Sequence, residues 1–189
     1  MVTQPRPELS LSDWAVLAVV AQGPTHGWPV VRELRSDGSF GRVWTVPRAA
    51  VYRSLTTLTG RGLVEECGES EHSQGPQRVM VRATRTGRAA LRRWLATPVD
   101  HVRDVRTELL LKLAVSDRAG LPTQDLVRRQ LDELAPVLRA VSAPPSEEGF
   151  DRTLGRWRRE QALAVERFLQ GLVSNDRPGR TRHRQASSD

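Results

Sequence analysis

The chain has 189 residues, of which 38% are hydrophobic and 27% charged, and its formal net charge is +7. This composition is ordinary for a folded globular protein and excludes gross disorder, and the length suffices for one large core or two small ones. The longest early apolar stretch, residues 14–21, is too short to span a bilayer and lacks the flanks of a signal peptide. We therefore expect a cytoplasmic protein that does not act in a membrane.

Net charge is unevenly distributed along the chain. Residues 1–99 carry 13 arginines against 8 acidic residues, whereas residues 100–174 carry 12 basic and 12 acidic residues. GC-rich codon usage explains why Lys112 is the single lysine among the basic residues, but it does not explain where the excess charge lies. A basic first half beside a neutral second half indicates contact with a polyanion.

The chain begins with residues 1–9, which contain two prolines and few apolar side chains and are predicted to form a flexible arm. Either Ser10 or Ser12 can cap the helix that follows, which ends at a Gly-Pro pair. A second helix is expected from about residue 25 to residue 37, with Trp28 and other apolar side chains turned toward the core.

The most informative segment is residues 44–63, which the spacing of apolar residues predicts to be an amphipathic helix. Its inward face carries Val51, Leu55 and Leu58. Its outward face carries Arg48, Tyr52, Arg53 and Thr56. Basic, aromatic and hydroxyl groups suit contacts to phosphates and base edges in a DNA groove, although a solvated Arg-rich surface helix has the same pattern.

Two strands follow this helix. Residues 63–67 and 77–83 are strand-like and are joined by a polar loop, which predicts a hairpin. Arg78 in the second strand can reach a phosphate, whereas the acidic residues of the hairpin disfavour deep insertion into a groove. Thr84 can cap a fourth helix that ends before Pro98. Three helices followed by a two-stranded wing is the order of a winged helix-turn-helix domain.

The second half is predicted to be entirely helical, so the chain is expected to be mainly α with a small β-hairpin wing. One helix covers residues 102–113, and the next has a heptad seam with Pro136 inside it, where a kink or break is expected. The last helix has a similar apolar stripe. The residues of these stripes predicted to mediate dimerisation are Val127, Leu131, Leu134, Leu138, Leu154, Trp157 and Phe168.

The order and spacing of several short motifs resemble the PadR family of bacterial transcriptional regulators. These motifs are His26-Gly27-Trp28, Tyr52-Arg53-Ser54-Leu55, Gly62-Leu63-Val64, Gly75-Pro76-Gln77-Arg78, Thr84-Arg85-Thr86-Gly87-Arg88 and Arg106-Thr107-Glu108-Leu109-Leu110. The resemblance covers roughly residues 10–172. It implies a sequence-specific repressor that binds a roughly palindromic double-stranded DNA operator as a homodimer. It also implies a small aromatic or amphipathic effector, with Trp94 and Trp157 as candidate pocket residues.

The predicted organisation has four parts. Residues 1–9 are the arm, residues 10–99 the winged helix-turn-helix DNA-binding domain and residues 100–174 the helical dimerisation domain. Residues 175–189 are polar and Arg-rich and are predicted to be a disordered tail.

The start of the predicted recognition helix departs from the family. Many members have a Ser-Pro-Gly-Thr-like sequence there, whereas this chain has Pro47-Arg48-Ala49-Ala50. Pro47 replaces a hydroxyl that can cap the helix, and Arg48 adds a positive charge beside the groove. The resemblance therefore implies the general behaviour of the family but no particular operator.

The sequence contains no catalytic or metal-binding pattern. The four histidines, at positions 26, 72, 101 and 183, lack metal-ligand spacing, and Cys67 is interpreted as a small buried residue. No nucleophile motif or phosphate-binding loop occurs. We therefore expect no enzyme activity, cofactor or metal. The alternative function is a small-molecule-sequestering protein that has lost specific DNA binding.

Overall fold

The computed structural model describes residues 8–69, 79–141 and 148–175. They form two compact units that divide between Thr123 and Gln124. The sequence placed the domain boundary after residue 99, but the structure groups residues 100–123 with the first unit. Most of the predicted arm and nearly all of the predicted tail lie outside the described residues.

The first helix, α1 (Leu11–Val20), packs against the later helices of the first unit and against its hairpin. Ser10 is its cap, since the Ser10 hydroxyl oxygen accepts from the Asp13 amide at 3.2 Å. The Asp13 carboxylate accepts in return from the Ser10 amide at 2.9 Å, which completes a capping box. Of the two predicted caps, the structure therefore selects Ser10.

The next two helices are α2 (Gly27–Glu33) and α3 (Arg48–Gly60). α2 ends earlier than predicted because the backbone turns after Glu33, whose carbonyl accepts from the amides of Phe40 and Gly41 at 3.3 and 3.1 Å. Phe40 is buried in the core and holds this turn against the helices. The turn delivers the chain to the start of α3.

The predicted hairpin is confirmed by the antiparallel pair β1 (Val64–Glu69) and β2 (Val79–Ala83). The Thr25 amide also donates to the Val81 carbonyl at 2.9 Å, which fixes the hairpin to the loop before α2. Cys67 was predicted to be buried but is only half-buried, because it lies where the register is interrupted between Glu66 and Glu69. The predicted contact Arg78 lies outside the described residues.

The helix after the hairpin, α4 (Arg85–Ala96), is capped by Thr84 as predicted, with the Gly87 amide donating to the Thr84 hydroxyl at 2.9 Å. Gly87 is required by close packing, since an added Cβ would lie 2.0 Å from the carbonyl oxygen of Leu63. This close approach joins the start of α4 to the end of the α3 turn.

The segment after α4 is less regular than predicted. A short 3₁₀ turn (Val102–Asp104) leads into a single π-helical turn (Val105–Leu109), and only then does α5 (Leu110–Arg118) begin. Glu108 in this turn pairs with Lys112 in α5 at 2.7 Å. A π turn of this kind often serves a functional purpose.

The second unit consists of α6 (Gln124–Val141) and α7 (Gly149–Asn175), which pack against each other. α6 continues through Pro136, so the predicted helix break is absent. Pro136 is exposed, and water can therefore bind the carbonyl that loses its helical partner.

The fold class predicted from the sequence is confirmed in its architecture. A mainly helical first unit carries a small β-hairpin wing in winged helix-turn-helix order, and a helical region follows. Within the described ranges, no helix combines the length and the apolar character needed to cross a membrane.

Candidate nucleic-acid interface

The exposed face of α3 carries the residues that the sequence predicted to contact DNA. Val51 and Leu58 are completely buried on the opposite face and anchor the helix in the core. The exposed side chains are Arg48, Tyr52, Arg53 and Thr56. The structure therefore brings four of the five predicted contact residues together on one helix, and Arg78 lies outside the described part of the chain.

The start of α3 is held by backbone hydrogen bonds and not by a side-chain cap. The Val46 amide donates to the Leu34 carbonyl at 2.9 Å, which ties the entry of α3 to the end of α2. Pro47 occupies the cap position, and its carbonyl accepts from Ala50 at 2.9 Å. Pro47 has no hydroxyl that could cap the helix, so the start of α3 is positioned by the hydrogen bond between Val46 and Leu34 at the end of α2.

Tyr52 lies between α3 and the first turn of α2. Tyr52 is 43% exposed, and an added Cβ on Gly27 would lie 2.5 Å from one of its ring carbons. On its own helix, the Arg48 guanidinium stands 5.8 Å from the ring centroid. The Tyr52 side chain is thus confined from two sides. Because its conformations are already restricted, contact with DNA would cost less side-chain entropy.

The charge of this face is not neutralised. Neither Arg48 nor Arg53 forms an ion pair with an acidic residue in the described ranges. The Thr56 hydroxyl donates its proton to the Tyr52 carbonyl at 3.2 Å. The lone pairs of the hydroxyl oxygen therefore remain available to accept a hydrogen bond. Two guanidinium groups without a carboxylate partner in the described ranges, together with a tyrosine, can form bidentate and single hydrogen bonds to phosphates or base edges.

Trp28 was predicted to turn toward the core, and this prediction is wrong. The side chain is 56% exposed, and the Arg32 guanidinium lies 5.3 Å from its ring centroid. The reason is that α2 begins only at Gly27, so Trp28 lies in the first turn with solvent on one side. Trp28 and Arg32 thus form an exposed aromatic and basic pair on α2. Their i, i+4 spacing was the sequence signal that could have revealed this pair.

The described part of the wing contributes little free positive charge. Arg82 on β2 pairs with Glu65 on β1 at 2.8 Å. The hydrogen bond from Arg82 to Glu65 raises the pKa of the Arg82 guanidinium further above its usual value. Since this cation already has a carboxylate partner, α3 is the stronger candidate for contact with a polyanion.

Trp94, one of the two predicted effector residues, lines a cavity of about 570 Å³ in the first unit. It stacks on Trp14 with ring centroids 5.2 Å apart and an interplanar angle of 8°, and its Nε1 donates to Glu108 at 3.0 Å. Lys112, which has no exposed surface, lies 5.1 Å from the Trp94 ring. The other predicted effector residue, Trp157, lies in the second unit and is 60% exposed.

The residues predicted to mediate dimerisation fall into two groups in the structure. Val127, Leu134 and Leu138 are already buried within the single chain, and Leu131 and Leu154 are half-buried. Trp157 and Phe168 on α7 are 60% and 39% exposed. Only the second group offers a substantial apolar surface to another molecule.

The described residues contain no group of three or more His, Cys, Asp and Glu side chains placed to hold a metal ion.

Comparison with protein families relates the N-terminal region to regulators. Residues 16–93 match the Transcriptional regulator PadR-like family. A protein of Mycobacterium tuberculosis described as a probable transcriptional regulator is 28% identical over 105 residues, which are 56% of this chain and 54% of the relative. The chain thus spans about half the length of this curated relative. Both comparisons concern regulators and not enzymes.

Two solved structures of regulators cover most of this chain at low sequence identity. Bacillus subtilis PadR in complex with operator DNA matches over 88% of this chain and 99% of its own, with 18% identity and a TM-score of 0.46. The virulence activator AphA of Vibrio cholerae matches over 88% and 97%, with 21% identity and a TM-score of 0.39. At these values neither structure supports an argument about what this chain binds.

Proposed function

From the premise that residues 16–93 belong to the PadR-like family of transcriptional regulators, we propose that this chain is a sequence-specific DNA-binding repressor that acts as a homodimer. The single observation that carries the proposal is the exposed face of α3. That face presents Arg48, Tyr52 and Arg53 without a neutralising carboxylate in the described ranges, while Val51 and Leu58 fix the helix in the core.

In the proposed complex, α3 enters the major groove. Arg53 contacts a base edge or a phosphate, Tyr52 contacts phosphate or base, and Thr56 adds a hydroxyl contact. Trp28 and Arg32 on α2 would then face the adjacent sugar-phosphate backbone. Arg78 is retained as a candidate phosphate contact of the wing.

The proposed dimer forms through α7. Phe150, Trp157 and Ala164 recur every seven residues on its exposed face, and Phe168 continues the row. Phe150 is 75% exposed, and Trp157 and Phe168 are also exposed, so these apolar side chains are not covered by the described part of the chain. A symmetric pairing of two such rows buries them and presents two α3 helices to half-sites about 10–20 base pairs apart.

The proposed regulation is by a small molecule that changes the spacing of the two recognition helices. The cavity of about 570 Å³ in the first unit, whose lining includes Trp14 and Trp94, supports this part of the proposal because its volume suits a small ligand. A ligand that binds one arrangement of the dimer more tightly shifts the population toward that arrangement.

The second candidate function is a small-molecule-sequestering protein without specific DNA binding. The pairing of Arg82 with Glu65 on the wing favours it, because this pair removes a cation from the surface that would face DNA. The two functions differ in whether any DNA sequence is preferred.

The test is selection of bound fragments from the genome of the source organism, followed by footprinting and by titration of a selected and a shuffled fragment. We expect a palindromic footprint and a preference in affinity of at least about 1000-fold for the selected fragment. Deletion of the gene that encodes this chain should raise expression of the gene adjacent to the bound site. Equal affinity for both fragments would contradict the proposal and favour the sequestering function.

A further inference from the structure

Arg48 is the first residue of α3, a position where the helix itself disfavours a positive charge. The backbone amides at a helix N-terminus carry a partial positive charge, so a cation there is destabilising. The first turn of α3 contains no acidic side chain, and Arg48 forms no ion pair with a carboxylate in the described ranges. The charge of Arg48 therefore does not stabilise the helix that it begins, and its side chain is exposed to a partner.

The Tyr52 ring restrains the Arg48 side chain from the next turn of the helix. The Arg48 guanidinium lies over this ring, 5.8 Å from its centroid. A guanidinium is planar and carries its N–H donors along its edge, so contact with an aromatic face leaves these donors available. The ring is restrained in turn, because the first turn of α2 approaches it closely at Gly27. Contacts between α2 and α3 thus orient the Arg48 donors before any partner binds.

The residues beside Arg48 leave the start of α3 uncrowded. Ala49 is exposed and Ala50 is half-buried, and both side chains end at Cβ. The N-terminal residues of a recognition helix are those that contact base edges in the major groove. Guanine presents the acceptors O6 and N7 there, and their spacing suits two donors of one guanidinium. The position and the orientation of Arg48 both suit this base.

We propose that Arg48 is a specificity-determining residue that donates to O6 and N7 of one guanine in each half-site, and that Tyr52 is the positioning residue that orients it. This inference rests on the proposed function and adds to it a base and a role for Arg48. It does not depend on whether Arg53 contacts a base or a phosphate. A phosphate contact of Arg48 would instead contribute equally on every DNA sequence.

The first experiment measures the affinity of the full chain for a selected DNA fragment and for variants in which each G·C pair of one half-site is replaced by A·T. The wild type should lose about 10-fold in affinity at the guanine that Arg48 contacts. Arg48→Ala should bind the parent fragment and this one variant equally, and it should retain the wild-type preferences at the other positions. Equal losses of Arg48→Ala on all fragments would show a phosphate contact and overturn the proposal.

Arg32→Ala is the matched control for lost charge. It removes an exposed guanidinium that also lies near an aromatic ring, 5.3 Å from the Trp28 centroid. Its affinity should fall by the same factor for every fragment. If Arg32→Ala loses the preference for the same guanine, the effect is one of charge and the proposal fails. The melting temperature of Arg48→Ala should not fall, because the substitution removes a cation from a helix N-terminus and alanine favours helices.

Two substitutions of Tyr52 test its positioning role. Tyr52→Phe retains the ring and should retain the preference for the guanine that Arg48 contacts, whatever the hydroxyl contributes to overall affinity. Tyr52→Leu removes the aromatic face and should reduce this one preference about 5-fold. In the Arg48→Ala background, Tyr52→Leu should have no further effect on that preference, since the two residues act together. An unchanged preference in Tyr52→Leu, or equal losses at every base pair, would reject the positioning role.

Replacing the identified guanine with 7-deazaguanine tests the atoms involved. This base lacks the N7 acceptor but still pairs with cytosine, so the wild type should bind about 5-fold more weakly. Arg48→Ala should bind the two duplexes equally, and a loss as large as that of the wild type would assign the N7 contact to another residue. If no fragment is preferred over a shuffled one, the proposed function and this inference both fail. If a fragment is preferred but no guanine depends on Arg48, only this inference fails.

Discussion

Tyr52 shows how one small residue can position a candidate DNA contact. Gly27 leaves room for the Tyr52 ring, and any larger residue there would occupy the same space. The backbone of Gly27 is ordinary helix, with no positive φ, so the glycine is needed for this close approach and not for backbone freedom. Gly27 is accordingly a positioning residue in the proposed interface.

Replacing Gly27 with alanine tests this role. We expect Gly27→Ala to weaken binding to a selected DNA fragment about 5-fold, because the Tyr52 ring must move. The unfolding free energy should not fall, since alanine favours helices. Gly23→Ala is the matched control, because an added Cβ at Gly23 has no atom within 4 Å. If both variants bind DNA as tightly as the wild type does, the position of the Tyr52 ring set by Gly27 does not contribute to DNA binding.

Arg53 is the clearest candidate for direct base recognition. Arg53→Ala should cost about 1–3 kcal/mol of binding free energy on the selected fragment if the guanidinium contacts a base. The measurement is a fluorescence anisotropy titration on the selected and the shuffled fragment, with Arg103→Ala as the control for lost charge. Equal losses on the two fragments would show a phosphate contact and no base recognition.

The buried side chain of Lys112 leads to a prediction of how the free energy of unfolding depends on pH. Burial lowers the pKa of Lys112 below its usual value of 10.5, and the hydrogen bond and charge of Glu108 and the charge of Asp100 only partly oppose this shift. Between the lowered pKa and 10.5, the unfolded chain binds more protons than the folded chain. The stability contributed by this site therefore rises with pH across that window.

The measurement is urea unfolding of the wild type and of Lys112→Met at about pH 7.5 and about pH 10. The wild type should gain free energy of unfolding relative to the variant at the higher pH. A relative loss would mean that the folded-state pKa is raised, so that pairing with Glu108 outweighs burial.

At the scale of elements, the start of α1 depends on one hydroxyl. Ser10→Ala removes the capping bond to Asp13 and should lower the unfolding free energy by about 1 kcal/mol. Ser12→Ala is the comparison, because the Ser12 hydroxyl makes only a long contact of 3.4 Å with the Trp44 indole. Urea unfolding should rank Ser10→Ala as the less stable variant, and the opposite ranking would make Ser12 the effective cap.

The two helices of the second unit use their apolar stripes differently. The α6 stripe is buried within the chain, whereas the row on α7 that contains Phe150, Trp157 and Phe168 is exposed. An aspartate on α6 would therefore unfold the helix pair as well as disturb any dimer. A substitution at Trp157 is the better test of the proposed dimer, because this side chain is 60% exposed and its replacement removes few contacts within the single chain.

At the scale of the whole molecule, Trp157→Asp should convert the proposed dimer to monomers and abolish tight operator binding. Sedimentation velocity measures the first effect, and circular dichroism verifies that the helices persist. Arg156→Asp is the control, because it also introduces aspartate but is turned by about 100° around the helix. A dimer that survives Trp157→Asp would place the subunit interface elsewhere.

The sequence by itself determined the order of elements and the two faces of α3. Helical spacing placed Val51 and Leu58 together, and it placed Tyr52 and Arg53 on the other side, because a helix has a fixed period. The Thr84 cap and the hairpin followed from local preferences of the same kind. The motif order also pointed to the regulator family whose model matches residues 16–93.

The tertiary structure alone decided what covers each face. Periodicity states which residues share a side of a helix, but it does not state whether a neighbouring helix, a partner or water lies against that side. For this reason the sequence misplaced Trp28, which solvent reaches. It also could not distinguish buried Leu134 from exposed Trp157, because burial depends on contacts between segments that are distant in the sequence.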